Sequence, residues 1–216
     1  DFRAAGKLVQ DNLTMLVAFL LPATIGAVAI AEPLYTVFYG KPDSLALGLF
    51  ILAMLQTVIL GLYTVLSPMI QALFQNRKAI LYFGYGVLVK LILQVPFIYL
   101  FRAYGPLLST TIGLMIPIVL MYKEIHRVTH FNRKIVFKRS LLTAILTLIM
   151  LLVVLLSVLI FSFVLKPNGR VMSMIYVALI GGVGIIVYGG LGLRLRFLDR
   201  FIGNKAATLR NKFHIS

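Results

Sequence analysis

Lys90 is the residue whose position most clearly predicts chemistry in this chain. It lies in an apolar stretch, residues 79–101, that contains no acidic residue. A helix of about 23 residues is roughly 35 Å long and can cross a hydrocarbon core of about 30 Å. A charge at the centre of such a span costs about 2.5–3.5 kcal/mol on insertion scales, so it marks a functional position by default. Gln94 lies one helical turn further on, on the same face.

The sequence allows two explanations for a lysine at position 90. The residue lies about 16 Å from either end of its span, beyond the reach of a lysine side chain that snorkels to the interface. It therefore either lines a cavity that admits an anion or forms a buried ion pair with a carboxylate on another helix. For Gln94 the alternatives are a cavity position and a hydrogen bond between helices.

The chain offers no constellation for catalysis. Its six acidic residues all lie at span ends or in loops, and no two of them are spaced i, i+3 or i+4. His126 and His130 have i, i+4 spacing, but their basic surroundings favour a solvated face over a metal site. Cysteine is absent, and no phosphate-binding loop or hydrolase motif occurs. We predict no enzyme activity, no metal and no cofactor.

The composition predicts an all-α polytopic membrane protein. Of its 216 residues, 61% are hydrophobic and 12% are charged, and the mean hydropathy is +1.00. A soluble domain would need more polar residues to cover its surface. Six continuous apolar runs predict six transmembrane helices, at about residues 13–31, 45–74, 79–101, 105–122, 140–165 and 171–193.

When six spans are assigned, most of the basic residues fall on one side of the membrane. The first eleven residues, the turn at 77–78, the loop 123–139 and the tail after 193 hold sixteen of the 21 Lys and Arg residues. Four lie on the other side, and Lys90 lies between. The positive-inside rule then predicts that both ends of this segment are cytoplasmic, in the cytoplasmic membrane. Because the net charge of +15 flanks apolar spans, it predicts contact with anionic membrane lipids and not with nucleic acid.

The first four spans carry polar or small faces and at least one proline each, whereas the last two differ. The candidate cavity residues share a helical face with other small or polar residues, and they are Gln71, Tyr82, Lys90, Gln94 and Ser109. The prolines predict kinks that serve as hinges, at Pro22, Pro68, Pro96 and Pro117. The fifth span is nearly all aliphatic and predicts a lipid-facing helix. A small-residue stripe on the sixth predicts packing against the fifth, through Ala178, Gly182, Gly189 and Gly192.

Four segments in this order resemble one transporter family. They are residues 19–26 (FLLPATIG), 32–40 (EPLYTVFYG), 89–96 (VKLILQVP) and 104–113 (YGPLLSTTIG). Together they resemble the second half of lipid-linked saccharide flippases in the multidrug/oligosaccharidyl-lipid/polysaccharide exporter superfamily. The nearest likeness is to the lipid II flippase and stage V sporulation protein B-like branch.

The resemblance implies fourteen helices in the whole protein, in two lobes of six and an appended pair. The six spans here would be helices nine to fourteen, and the N-terminal lobe and two helices of the second lobe would be missing from this segment. In the family, the basic residues best tied to the substrate pyrophosphate lie largely in the missing part. Some relatives bind a cation through Asn or Asp near the position of Gln94, but no acid follows here, and no such site is predicted. The appended pair in the family forms a groove for the lipid tail.

These observations predict four regions. Residues 1–122 form the four-helix part of a transporter lobe, 123–139 a basic cytoplasmic loop, 140–193 a lipid-facing helix pair and 194–216 a basic cytoplasmic tail. The predicted function is translocation of a polyprenyl-pyrophosphate-linked saccharide, with that lipid-linked saccharide, membrane lipids and the missing lobe as partners. The alternatives are a multidrug cation exporter of the same superfamily and a non-transporting membrane subunit of envelope synthesis.

Overall fold

A computed structural model describes residues 2–164 and 169–194 of the chain. Within these ranges the backbone forms helices and connecting turns, with no strand. The α-helices are α1 (Phe2–Ala29), α2 (Ala31–Tyr39), α3 (Ser44–Ala72), α4 (Asn76–Phe101), α5 (Gly105–Thr129), α6 (Arg133–Val164) and α7 (Arg170–Arg194). A 3₁₀ turn, Arg102–Tyr104, joins α4 to α5.

The six long helices match the six predicted spans. Five stretches are long and apolar enough to cross a membrane, and one of them, Asn76–Thr129, contains both α4 and α5. Each of these two helices has at least 25 residues, about 38 Å of helix, which exceeds a hydrocarbon core of about 30 Å. The predicted fold class, an all-α polytopic membrane protein, is confirmed.

The region predicted as a basic loop, residues 123–139, is helical over most of its length in the structure. Helix α5 continues to Thr129, and α6 begins at Arg133. His130 ends α5 with a left-handed φ of 48°, and its N–H donates to the His126 carbonyl at 2.8 Å. The Asn132 side chain caps α6 by accepting from the Lys134 N–H at 3.0 Å. Hydropathy located the apolar part of each helix, whereas capping residues fix where the helix ends.

The short element predicted between the first two spans is the nine-residue helix α2. Pro33 lies in its first turn. Backbone N–H groups in that turn have no acceptor within the helix, so the lack of an N–H in proline costs no hydrogen bond there. The ring centroids of Tyr35 and Tyr39 are 5.0 Å apart on one side of this helix. Phe38 and Tyr39 are each about two-thirds exposed.

The chain divides into two compact units. The first consists of Asp1–Leu20 and Gly48–Arg139. Its buried cluster joins α1, α3, α4 and α5 to the residues that follow α5. The members are Val9, Leu13, Leu66, Ile70, Ala79, Met121, Ile125 and Phe131.

The second unit consists of Leu21–Leu47 and Ser140–Ser216, and α6 packs on α7 within it. Tyr176 donates its hydroxyl to the Val158 carbonyl at 3.2 Å. A Cβ built on Gly184 would lie 3.2 Å from Val154. The predicted stripe is therefore wrong at Gly182 and Gly189, since a Cβ on either would have no neighbour within 4 Å, whereas Gly192 is buried as predicted. The buried face of α7 instead contains Ser173, Tyr176, Ile180, Gly184 and Tyr188.

Two predictions fall on residues that the structure does not describe. Of the predicted basic tail, residues 194–216, the structure describes only Arg194, the last residue of α7. Residues 165–168, which include the basic residue Lys166 of the loop between the last two spans, also lie outside the described ranges.

A candidate substrate-facing groove between α4 and α5

Helices α4 and α5 approach each other through glycine. A Cβ on Gly86 would lie 2.5 Å from the Gly113 carbonyl oxygen and 2.8 Å from Cδ of Pro117. These distances leave no room for a methyl group, so the two backbones are in direct contact. Close approach through small residues is the usual means of helix packing in lipid, where burial of apolar side chains supplies no driving force.

A second glycine contact lies near the 3₁₀ turn. A Cβ on Gly105 would lie 2.5 Å from the carbonyl carbon and oxygen of Phe97. The same register places Lys90 opposite Gly113, where a Cβ would come within 2.8 Å of the Lys90 Cβ. Glycine contacts thus hold α4 against α5 at two points along their length. In the same register, Gln94 of α4 lies opposite Ser109 of α5.

Lys90 lines a shallow groove between the two helices. The groove has a volume of about 120 Å³, and its lining is apolar except for Lys90 and Thr110. The other lining residues are Phe83, Gly86, Val87, Gly113, Leu114 and Pro117. Thr110 donates its hydroxyl to the Pro106 carbonyl at 2.7 Å. The lysine side chain is half-buried, and among the described residues no carboxylate pairs with it.

The remaining predicted cavity residues do not gather around Lys90. Tyr82 packs against the buried cluster of the first unit. Ser109 is fully buried and donates to the Pro106 carbonyl at 3.0 Å. Gln71 is exposed near the end of α3 and donates to Ser67 Oγ at 3.3 Å. Of the predicted set, Lys90 alone lines the groove, with Gln94 half-buried one turn further along α4.

All four predicted hinge prolines lie inside helices: Pro22 in α1, Pro68 in α3, Pro96 in α4 and Pro117 in α5. Pro117 is buried and faces Gly86, so it has a packing role in addition to any hinge role. Pro68 and Pro96 are exposed on their helices. Their action as hinges stays a prediction.

Sequence reasoning missed a pair of charges that joins α4 to α5. Lys78 Nζ donates to Glu124 Oε1 at 2.6 Å, and Arg127 approaches Oε2 of the same carboxylate at 3.9 Å. Glu124 is 8% exposed. A second pair joins the start of α6 to α1, with Arg139 Nη1 at 2.9 Å from Asp11 Oδ1. Glu124 was the only acid in the predicted basic loop, and this isolation was the signal available in the sequence.

Of the two histidines, His126 packs against an aromatic ring, whereas His130, which caps α5, is exposed. The His126 and His130 ring centroids are 6.5 Å apart, and the His126 and Phe131 centroids are 5.0 Å apart. Within the described ranges, no three His, Cys, Asp or Glu residues gather in a way that could hold a metal ion.

Six long apolar helices, two of which pack through glycine beside a half-buried lysine, define part of a polytopic α-helical membrane protein. No family model matches the chain. It is similar to lipid II flippase MurJ of Bacillus subtilis (strain 168), with 29% identity over 210 residues that cover 95% of this chain and 38% of that protein. Its fold matches that of lipid II flippase MurJ in an inward closed conformation, with a TM-score of 0.67 and 21% identity.

The match to that solved structure covers 94% of this chain and 40% of the other. The chain therefore spans less than half the length of either protein. These two similarities confirm the resemblance that the four sequence segments predicted, to part of a lipid II flippase.

Proposed function

We propose that this chain is part of a flippase that moves a polyprenyl-pyrophosphate-linked saccharide, a peptidoglycan or polysaccharide precursor, across the cytoplasmic membrane. The similarity to a lipid II flippase over 95% of the chain carries the proposal. The remainder of the protein would supply the other lobe of the cavity. The two lobes would rock so that the cavity opens to each side of the membrane in turn.

Lys90 would attract the anionic head group of the substrate. Its half-buried side chain lines an apolar groove, and among the described residues no carboxylate neutralises it. A charge interaction in such surroundings is less screened than in water. Glycine contacts hold α4 against α5 at this level, so the backbone position that carries Lys90 is set by the helix pair.

The four-plus-two division predicted from the sequence gives each part a role. Residues 1–122 would contribute to the cavity wall, and the pair at 140–193 would hold the lipid tail. The support is the large exposed aliphatic surface of α6, where Leu148, Leu152, Leu156 and Leu159 are each more than half exposed. An acyl or polyprenyl chain can lie along such a surface without desolvating any polar group.

The experiment is replacement of Lys90 by Ala in the full-length protein, with Lys41→Ala as the matched control. Lys41 is an exposed lysine outside the helices. Export of lipid-linked precursor in cells that depend on this protein should fall at least tenfold with Lys90→Ala and stay normal with Lys41→Ala, at equal protein levels. Normal export with both variants removes the proposed role of Lys90.

The same cells test the protein's function as a whole. Loss of the full-length protein should cause lipid-linked precursor to accumulate on the cytoplasmic side. A changed pattern of drug resistance with normal precursor export would instead support a cation exporter. A chemically altered saccharide lipid, produced by purified protein, would support an enzyme or an enzyme subunit.

The orientation with both ends of the segment cytoplasmic is also proposed, from the distribution of Lys and Arg. These 216 residues contain no cysteine, so single cysteines can be introduced at Asp43 and at Asn132 in an otherwise cysteine-free full-length protein. A membrane-impermeant maleimide added to intact cells should label position 43 and not position 132. The reverse pattern contradicts the orientation.

A further inference from the structure

Phe74 ends helix α3 in a conformation that its side chain disfavours. Its φ is 60°, in the left-handed region. The Phe74 N–H donates to the Gln71 carbonyl at 2.9 Å, and the Gln75 N–H donates to the Ile70 carbonyl at 3.2 Å. These two bonds form a Schellman motif, whose left-handed position is normally glycine because a Cβ there crowds the backbone. A bulky residue at this position is a genuine outlier.

Packing of the phenyl ring of Phe74 against the rest of the chain does not offset this backbone strain. Its side chain is 95% exposed, more than any other large apolar side chain among the described residues. A glycine would close the same turn without strain. Packing within the segment therefore gives no reason for a phenylalanine here, and a contact outside the segment is needed to explain it.

The location of Phe74 indicates what that contact is. The turn joins α3 to α4, and both lie in stretches apolar enough to cross a membrane. The exposed apolar surface of α4 starts at Ile80, which is 72% exposed. The helix itself begins at Asn76, and the distance along its axis from Asn76 to Ile80 is about 6 Å. Since each headgroup layer is roughly 5–7 Å thick, the turn lies at headgroup depth. Arg77 is exposed one residue into the helix.

We propose that Phe74 and Arg77 form a membrane-surface anchor, in which the ring enters the boundary between headgroups and acyl chains and the guanidinium binds an anionic lipid phosphate. Aromatic rings favour this depth, and one Lys or Arg near an anionic surface contributes about 1 kcal/mol, or about fivefold in local lipid enrichment. The anchor would hold the α3–α4 turn at a fixed depth. It does not depend on what the protein transports.

The probe is a tryptophan that replaces Phe74 in the full-length protein, studied in lipid nanodiscs. These 216 residues contain no tryptophan, so Phe74→Trp in a background with any other tryptophans replaced gives a single emitter. Its emission should be blue-shifted and quenched by lipids brominated near the headgroup end of the acyl chain. Leu156→Trp on α6 is the lipid-exposed control, since Leu156 is 57% exposed in an aliphatic helix.

Two results would overturn the anchor. Emission at the wavelength of tryptophan in water, with free quenching by iodide, would place the ring in solvent. Blue-shifted emission without bromolipid quenching would mean that protein, either the rest of the chain or a partner, covers the ring.

Arg77→Gln tests the second half of the anchor. Brominated phosphatidylglycerol should quench the Phe74→Trp emission more strongly than brominated phosphatidylcholine does, and adding Arg77→Gln should remove that difference. Equal quenching by the two lipids before the second substitution contradicts the role of Arg77. Phe74→Gly tests for a structural role, because it should not lower the thermal unfolding temperature in detergent. A lower temperature would mean that the ring packs within the protein and would also overturn the proposal.

Discussion

Gly113 of α5 lies directly against Lys90 of α4. A Cβ at position 113 would come within 2.8 Å of the Lys90 Cβ and within 2.9 Å of the Gly86 carbonyl oxygen. The backbone atoms among these neighbours cannot move independently of their helices, so an added methyl group must push α4 and α5 apart. The absence of a side chain at Gly113 therefore accounts both for the close approach of α4 and α5 and for the position of the Lys90 backbone in the groove.

Gly113→Ala should lower the free energy of unfolding of the full-length protein in detergent by about 1–3 kcal/mol, the usual range for overpacking. Gly84→Ala is the matched control, because a Cβ at Gly84 has no neighbour within 4 Å. That control should be neutral or stabilising by up to about 1 kcal/mol, since alanine is the better helix former. Equal effects of the two variants would contradict the glycine contact.

Lys90→Met should separate stability from transport. Methionine keeps most of the length of the side chain and removes the charge, whose insertion cost is about 2.5–3.5 kcal/mol at mid-span. We expect the unfolding free energy to stay the same or rise while precursor export falls. Export assays in cells and chemical unfolding in detergent measure the two effects. A loss of stability would instead indicate that Lys90 has an ion-pair partner in the complete protein.

The Lys78–Glu124 pair should contribute measurably to stability because Glu124 is almost completely buried. Removing a single partner leaves a charge without its hydrogen bond, and Glu124→Met, which has no oxygen acceptor, should cost about 1.5–3 kcal/mol. A double-mutant cycle with Lys78→Met isolates the coupling between the two residues. Asp11 and Arg139 form the comparison pair, since Asp11 is 47% exposed, and their coupling should stay below about 1 kcal/mol. Coupling of equal size in both pairs would contradict the dependence on burial.

The sequence was sufficient to predict the long helices, because an apolar run of membrane length has few other stable structures. It also located Gly86, Lys90 and Gly113 on helical faces. It did not determine which faces meet, since that depends on the register between helices, which hydropathy does not encode. Ser109 illustrates the difference. It shares a small and polar face with Gly113, yet its hydroxyl bonds to its own helix and is fully buried.

Phe74 and Glu124 were missed for different reasons. Nothing in the identity of a phenylalanine after an apolar run predicts a positive φ or an exposed ring. The partner of Glu124 is 46 residues away in the chain. The turn at Phe74 is local and left no indication in the sequence, whereas the ion pair of Glu124 comes from tertiary geometry and was indicated only by an acid among basic residues.

The contact between α6 and α7 gives a test of register in the second unit. A Cβ added to Gly184 would lie 3.2 Å from Cγ2 of Val154, whereas a Cβ added to Gly182 on the same helix would meet open space. Valine at either position has the same intrinsic helix propensity, so propensity cancels between the two variants. Gly184→Val should lower the unfolding free energy by about 1–3 kcal/mol more than Gly182→Val, as measured by thermal or chemical unfolding in detergent. The opposite order would restore the register predicted from the small-residue stripe, in which Gly182 packs against α6.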